Sequence, residues 1–366
     1  MIAGGSVLLS EISRQLEQDT ALLSIEKRLS WPLGSARWEE QELQEASQEE
    51  VSPQVQPDTV LALDIGDVTQ ASAQAMAGLC EVWDGSEGTV GTGYWLAQGE
   101  AHQPTGHRFP LWLQAWSQAT PECVSENRGL KEVITTVAEA TGGQGLWVMD
   151  RGGDREVLLK PWAPEPLRSI VRCCGDRRVA VEAERGGLER KLLRQVAATG
   201  SLKGRLPIRH RDRRGRWHPV IVRYGHWGLT WQGAPYWLVV VQGLAQEPLG
   251  LWTKIPALTL AMAEQILRGY LRRWSVEDAS RGLKQEFQLE ALRVRHWTAV
   301  QRLVVLASLA YGFVCQVGLL PHRLLLQLLD RVRCFRRPRK VIAYHLRKGL
   351  AKLWGGGLVC RPSNFG

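Results

Sequence analysis

Short apolar runs alternate with amphipathic stretches along this chain of 366 residues. Residues 60–63 and 146–149 are continuously apolar, a pattern typical of strands that are buried on both faces of a sheet. Two more strands are predicted over residues 82–102, with a turn at residues 84–88, and another over residues 108–117. A chain that mixes such strands with helices is predicted to form an α/β fold.

Helical periodicity predicts a helix over residues 125–140, with Ser125 or Asn127 as its N-cap. Residues 6–29 show the same periodicity. Residues 41–58 are acidic and polar, contain two prolines, and are interpreted as a linker. Residues 303–320 are almost entirely apolar, but they include a serine, a glutamine and two glycines, so they are interpreted as a buried core helix rather than a membrane span.

Residues 170–244 have a different character, since alternating apolar and polar positions predict a β-rich insertion. Basic residues next to aromatic ones suit contact with a nucleic-acid backbone and stacking on bases, although tryptophans at this spacing also pack on a sheet. The arginines and tryptophans concerned are Arg205, Arg209, Arg211, Arg213, Arg214, Arg216, Trp217, Trp227 and Trp231.

Four polar side chains share one side of the helix predicted around residues 269–284. They are Tyr270, Arg273, Glu277 and Lys284. At about 100° per residue they fall within a stripe about 60° wide. A carboxylate, two cations and a phenol in one row suit a metal ion beside phosphates, whereas a solvated face with salt bridges is the alternative interpretation.

Two aspartates follow the buried apolar runs directly. Asp64 ends the first run and Asp150 ends the second, where a ligand can approach the ends of buried strands. Each is also consistent with an ordinary turn, because glycine follows closely. Together with Glu277 they supply the hard oxygen ligands that Mg²⁺ or Mn²⁺ prefers, and two such ions support phosphoryl transfer.

The overall charge favours a polyanionic partner. The net charge is +9, and the basic residues are concentrated near the C-terminus, where residues 331–340 could follow a phosphate backbone or form a solvated tail. Residues 1–58 carry eleven acidic against four basic side chains. Seven cysteines without a Cys-x2-Cys pair argue against a zinc module, and with no leader sequence they predict a cytoplasmic protein.

Three motifs resemble those of the insertion-sequence-four family of DDE transposases. The spacing Tyr-x2-Arg-x3-Glu-x6-Lys from Tyr270 to Lys284 resembles the family signature. Residues 59–67 resemble the family's first acidic strand, and residues 146–154, with Asp-Arg-x-x-Asp, resemble the second. The resemblance extends over roughly residues 25–320.

The resemblance implies a ribonuclease-H-like mixed sheet flanked by helices, interrupted by a β-rich insertion, with helical N- and C-terminal extensions. The segments it implies are a shortened N-terminal helical region with an acidic linker (1–58), a first part of the catalytic domain (59–162), the insertion (163–255), a second catalytic part (256–320) and a basic C-terminal region (321–366).

The activity implied is metal-dependent DNA strand cleavage and strand transfer. Asp64, Asp150 and Glu277 would hold two Mg²⁺ or Mn²⁺ ions, while Tyr270, Arg273 and Lys284 would bind phosphates. The partners implied are double-stranded DNA, as transposon ends and target, and a second copy of the chain in the DNA complex.

Two features depart from the family pattern. Family members use a tryptophan in the insertion to stack on a flipped base, but the aligned position here is Leu249, so Trp252 is the nearest candidate for contacting DNA. Only about sixty residues precede Asp64, which casts doubt on specific recognition of transposon ends.

Two alternatives to an active transposase remain open. One is a truncated or non-mobilising DNA-binding protein of transposase descent, which the short N-terminal region favours. The other is a different carboxylate-pair hydrolase such as a glycosidase, which the basic charge and the aligned cations disfavour.

Overall fold

The fold is described from a computed structural model. The described residues are 1–16, 19–35, 38–85, 87–123, 125–159, 167–182, 186–199, 201–211, 217–330 and 342–355. Residues 331–340, which form most of the predicted basic tail, lie outside this part.

The described chain is a mixed α/β structure. Its strands are β1 (Val60–Thr69), β2 (Cys80–Asp84), β3 (Thr89–His102), β4 (Arg108–Trp116), β5 (Leu146–Met149), β6 (Ser169–Arg172), β7 (Arg178–Glu182), β8 (Leu188–Leu192), β9 (Gly204–Arg211), β10 (Trp217–Trp231), β11 (Ala234–Gln242) and β12 (Leu249–Thr253). Its helices are α1 (Leu9–Arg14), α2 (Leu22–Gly34), α3 (Glu40–Val51), α4 (Glu126–Ala140), α5 (Glu156–Leu159), α6 (Leu193–Thr199), α7 (Leu260–Arg272), α8 (Trp274–Glu286), α9 (Trp297–Val317), α10 (His322–Asp330) and α11 (Ile342–Gly355).

The chain forms two compact units, each assembled from separate segments. The first unit comprises Met1–Gln54, Ile65–Thr141 and Val276–Gly366, and the second comprises Val55–Asp64 and Gly142–Ser275. Strand β1 contributes its first half to the second unit and its second half to the first.

The second unit is built on strands of mixed orientation. The first half of β1 pairs in parallel with β5, and β5 pairs in parallel with β6. Strands β12, β11 and β10 follow in antiparallel order, and β10 also pairs with β9 and β7. Helix α7 lies close against β5 and β6, because a Cβ at Gly269 would stand 2.7 Å from Leu146 Cδ2 and 3.3 Å from Ile170 Cδ1.

The first unit contains an antiparallel meander covered by helices. Strand β3 pairs with β2 and with β4, and it is also the neighbour of β1. Helices α3 and α9 pack against β4. Helix α9 is long and apolar enough to cross a membrane, yet 61% of its apolar window is buried inside the protein, which confirms the predicted core helix.

The strands predicted around both aspartates, the hairpin at residues 84–88 and the strand at residues 108–117 are confirmed, with β4 ending at Trp116. Helix α4 begins where predicted, and the Ser125 hydroxyl is its cap, since it accepts a hydrogen bond from the Arg128 amide.

The helical periodicity of residues 6–29 corresponds to two helices, since α1 ends at Arg14 and α2 begins at Leu22. The linker predicted at residues 41–58 is wrong, because most of this segment belongs to helix α3. One side of this polar helix is buried. There, Gln48 Nε2 donates a hydrogen bond to the Leu111 carbonyl of β4 at 3.2 Å.

One buried cation fixes the end of α2 in the first unit. Arg302 on α9 is 1% exposed. Its guanidinium donates hydrogen bonds to backbone carbonyls at the end of α2 and beyond it, and lies 4.5 Å from the centroid of the Trp38 ring. The carbonyls that accept these bonds belong to Pro32, Leu33, Ser35 and Trp38. This contact satisfies backbone groups that a helix end leaves without partners.

We expect Arg302→Met to lower the free energy of unfolding by about 3 kcal/mol or more, because several buried carbonyls would lose their donor together. Arg302→Lys, which keeps the charge but not the planar fork, should lose less. Urea denaturation of the three proteins measures this difference. An unfolding midpoint for Arg302→Met equal to that of the wild type would contradict the assigned role.

Candidate active site

Three parallel strands of the second unit carry charged residues side by side, at the level where their pairing stops. The register pairs Leu63 with Met149, and Met149 with Val171. The next position on each strand is Asp64, Asp150 and Arg172, and neighbouring strands are about 4.8 Å apart. Asp150 keeps an extended backbone (φ −77°, ψ −164°), so it continues the direction of β5.

These three residues face the side of the sheet that α7 covers. Side chains alternate along a strand, so Asp150 shares a face with Leu146, and Arg172 shares a face with Ile170. Leu146 and Ile170 are the residues that approach Gly269 of α7. Tyr270 is the next residue of α7 after Gly269. The carboxylates of Asp64 and Asp150, the guanidinium of Arg172 and the phenol of Tyr270 are therefore assembled on one face of the sheet.

Tyr270 is buried close enough to Asp150 and Arg172 to be affected by their charges. The side chain is 2% exposed. Burial raises the pKa of its phenol, the nearby charges of Arg273 and Arg172 act in the opposite sense, and the charge of Asp150 adds to the rise. The Arg273 guanidinium lies 5.8 Å from the centroid of the Tyr270 ring. Tyr270 is thus a protonated donor beside two cations.

The predicted continuous helix around the four-residue signature is divided. Helix α7 ends at Arg272 and α8 begins at Trp274. The amide of Arg273 donates to the Tyr270 carbonyl at 3.0 Å, three residues back rather than four, which tightens the turn there. The signature therefore does not form one straight stripe: Tyr270 and Arg273 belong to the second unit, and Glu277 and Lys284 to the first.

Lys284 is anchored by two carboxylates of the first unit. Its ammonium lies 3.2 Å from Asp67 Oδ2 and 2.8 Å from Glu290 Oε1. Burial lowers its pKa, but the hydrogen bond to Glu290 and the charge of Asp67 more than offset this, so that the pKa is raised. Asp67 also accepts a hydrogen bond from Thr69 at 2.9 Å. Lys284 is a fixed cation, and Glu277 is exposed in the first turn of α8.

The prediction that Trp252 contacts DNA does not agree with its position. Trp252 is 1% exposed, and it pairs with Val171, so it lies on the face opposite Asp150 and Arg172. Its ring packs 4.7 Å from that of Tyr236 and 5.7 Å from that of Trp231. The residue is part of an aromatic core, because a bulky apolar ring gains most when it is fully buried.

Asp154, the second aspartate of the Asp-Arg-x-x-Asp motif, has a structural role on this opposite face. Its side chain is 1% exposed and forms an ion pair with Arg177 at 2.7 Å. The Arg177 guanidinium in turn lies 5.0 Å from the centroid of the Trp231 ring. The motif therefore supplies one aspartate to each face.

The carboxylates of Asp64 and Asp150 fit part of a divalent-metal site. Adjacent aspartates provide hard oxygen donors of the kind Mg²⁺ and Mn²⁺ accept. Asp150 Oδ1 already accepts a hydrogen bond from the Gly152 amide at 2.7 Å, which orients the carboxylate. In the part of the chain that is described, no group of three or more His, Cys, Asp or Glu side chains is arranged to hold a metal ion. The participation of Glu277 remains a prediction.

No protein-family model matches the chain, and no curated protein matches it.

Sequence reasoning missed Arg172. The strand that carries it has only two apolar residues at its centre, Ile170 and Val171, and it was included in the predicted insertion. The distance of 22 positions from Asp150 gives no local sign that the two residues are neighbours. Only the parallel pairing of β5 with β6 shows that they lie on neighbouring strands.

We expect the Tyr270 phenol to remain protonated beyond pH 10, because burial raises its pKa above the ordinary value of 10.0. Its contribution to stability is therefore complete below pH 10 and is lost as the pH rises through the folded-state pKa. The difference between ultraviolet titrations of wild type and Tyr270→Phe measures this ionisation. A phenolate signal that disappears in the variant at pH 8–9 would contradict the burial described.

We expect Mn²⁺ to raise the thermal midpoint of the wild type more than that of Asp150→Asn. Asparagine can still cap the turn at Gly152, but it removes a charged ligand. Without metal, the variant should be as stable as the wild type or more stable by up to about 1 kcal/mol, since two like charges are no longer adjacent. At manganese 100-fold above its Kd, linkage stabilises the wild type by about 2.7 kcal/mol.

The control for this comparison is Asp176→Asn, which removes a surface carboxylate paired with Arg194. It should respond to Mn²⁺ as the wild type does. Equal Mn²⁺ shifts in wild type and Asp150→Asn would show that the strand-end carboxylates do not bind the ion.

Proposed function

We propose that this protein is a DNA transposase of the DDE type, which cleaves and transfers DNA strands. One observation carries the proposal: Asp64 and Asp150 lie side by side where the parallel pairing of β1 with β5 stops, and Arg172 and Tyr270 lie on the same face. Such a site suits a phosphodiester, because the carboxylates can hold divalent cations while guanidinium groups bind the phosphate oxygens.

The arrangement of strands supports a ribonuclease-H-like fold. Within the first unit, β4 pairs with β3 and β3 borders β1. Within the second unit, β1 pairs with β5 and β5 with β6, both in parallel. A meander followed by parallel strands, with the acids at the strand ends, is the arrangement that the family resemblance implies.

Each residue has a distinct role in the proposed reaction. Asp64 and Asp150 would hold Mg²⁺ or Mn²⁺, which would supply activation of the attacking oxygen and stabilisation of the leaving one. Glu277 is the third metal ligand that the family resemblance implies. The planar guanidinium groups of Arg172 and Arg273 donate hydrogen bonds to two oxygens of the phosphate. Tyr270 donates a hydrogen bond to a phosphate oxygen, and Lys284 contributes a fixed positive charge beside the DNA.

The chemistry has two displacements at phosphorus. In the first, the oxygen of water bonds to phosphorus, the bond to the 3′ oxygen breaks, and that oxygen takes a proton. In the second, the freed 3′-hydroxyl oxygen bonds to a phosphorus of the target, the bond from that phosphorus to the target's 3′ oxygen breaks, and the leaving oxygen takes the proton that the attacking hydroxyl loses. The protein's partners are then transposon-end and target duplexes, with two copies of the chain in the complex.

We expect Glu277→Gln to abolish strand cleavage while DNA affinity stays within roughly twofold of wild type. An amide is a much poorer ligand for a hard divalent ion than a carboxylate, whereas it removes no phosphate contact. Cleavage of a duplex with the element's end sequence in Mg²⁺, measured beside equilibrium binding to the same duplex, separates the two effects.

The matched control is Asp278→Asn, one position further along α8. Asp278 is exposed and pairs with Arg108 at 3.3 Å and with Arg281 at 3.2 Å. Its loss should leave cleavage near the wild-type rate. Cleavage at the wild-type rate by Glu277→Gln would remove Glu277 from the metal site, and absence of cleavage by the wild type would support the alternative of a non-mobilising DNA-binding protein.

A further inference from the structure

The antiparallel ribbon of β9 and β10 presents a basic face to solvent. Exposed and buried positions alternate along β9, so that Arg205 and Arg209 are exposed while Leu206 is buried. Lys203, immediately before the strand, is exposed on the same side, and so is Arg223 of β10. We call Lys203, Arg205, Arg209 and Arg223 the ribbon cations.

The strands of the ribbon carry no acidic side chain that could balance this charge. The sequences of β9, β10 and β11 contain no aspartate or glutamate. Within the described residues, the ribbon cations form no ion pair, and the one hydrogen bond among them runs from Arg223 to the Leu202 carbonyl at 3.3 Å. Two other cations of this unit are paired, since Arg194 forms an ion pair with Asp176 and Lys191 forms one with Glu189.

The pairing register places like charges opposite each other, and this arrangement by itself destabilises the folded sheet. Arg205 and Arg223 are directly opposite each other across the two strands. Side chains in such a pair have Cβ atoms about 4.5–5.5 Å apart, and like charges there destabilise a sheet. Positive charge also protects an edge strand from aggregation. Edge protection explains cations on β9, but not Arg223, because β10 lies between β9 and β11.

We propose that the ribbon cations form a binding surface for the phosphate backbone of double-stranded DNA, separate from the strand-end aspartates. From Lys203 to Arg209 the strand spans about 20 Å. A duplex presents roughly a dozen negative charges over that length. A contact of this kind carries no sequence information, since it reads phosphates alone.

The pairing register assigns this surface to the face opposite the candidate active site. Arg223 pairs with Gln242, and following alternate positions through β11 and β12 leads to Trp252, which faces away from Asp150. On the other face, Tyr224 donates to Glu264 of α7 at 2.9 Å. The DNA bound by the ribbon is therefore a segment away from the phosphodiester that reacts. The role of this surface in holding a second segment of DNA rests on the proposed transposase function.

The test is a salt titration of the full-length protein binding to a duplex of unrelated sequence. The variant Arg205→Gln/Arg209→Gln should lower the magnitude of the slope of log K against log salt by about two, because each phosphate contact contributes about 0.9. The control Lys191→Gln/Arg194→Gln removes as many positive charges, but from cations already paired with carboxylates, and should change the slope little. Thermal midpoints confirm that both variants are folded.

An unchanged slope in the Arg205/Arg209 variant, or an equal decrease in the control, would overturn the proposal. So would failure of the wild type to bind the duplex at low salt, or binding only to vesicles of equimolar phosphatidylcholine and phosphatidylglycerol. The outcome is distinguishable from failure of the transposase proposal. If the protein never cleaves DNA but shows the expected change of slope, the DNA-binding surface stands and the transposase proposal fails. If it cleaves DNA but the slope does not change, the transposase proposal stands and the DNA-binding surface fails.

Discussion

The register between β1, β5 and β6 is the constraint on which the candidate site depends. Side chains alternate with a period of two, so a slip of one residue would exchange the two faces of a strand and turn Asp64 or Asp150 toward the opposite side of the sheet. Val60, Val148 and Ile170 are each fully buried, which penalises such a slip strongly. The same pairing therefore aligns Asp64 and Asp150 without any attraction between them. The apolar core holds two like charges side by side, and nearby guanidinium groups offset part of their repulsion.

What the sequence predicted well was local. The apolar runs before Asp64 and Asp150, the cap at Ser125 and the core helix around Leu303 each follow from a pattern within a few residues. What it missed depended on distant partners. Arg172 became part of the site only through the pairing of its strand, and Trp252 was predicted to contact DNA although its neighbours in the sheet bury it.

Two other differences arise from weak local signals. The sequence of helix α3 is almost entirely polar, like that of a linker. Its packing against β4 is what identifies it as part of the folded unit. The division between α7 and α8 contains no glycine or proline, since it results from a single tightened turn at Arg273. The spacing from Tyr270 to Lys284 predicts either a metal ion beside phosphates or a face with salt bridges. Lys284 does pair with two carboxylates, and two cations lie near Tyr270, while the phosphate contacts stay a prediction.

The interleaving of the two units has a consequence for synthesis on the ribosome. All of the second unit has been made once Ser275 emerges, whereas the first unit, which contains the N-terminus, still lacks every residue from Val276 onward. The usual order, in which the N-terminal domain folds first, is thus reversed. Until α9 is translated, the apolar side of β4 lacks the helix that covers it. Pauses in translation between residues 142 and 297 would therefore prolong the interval in which this apolar surface is exposed to aggregation.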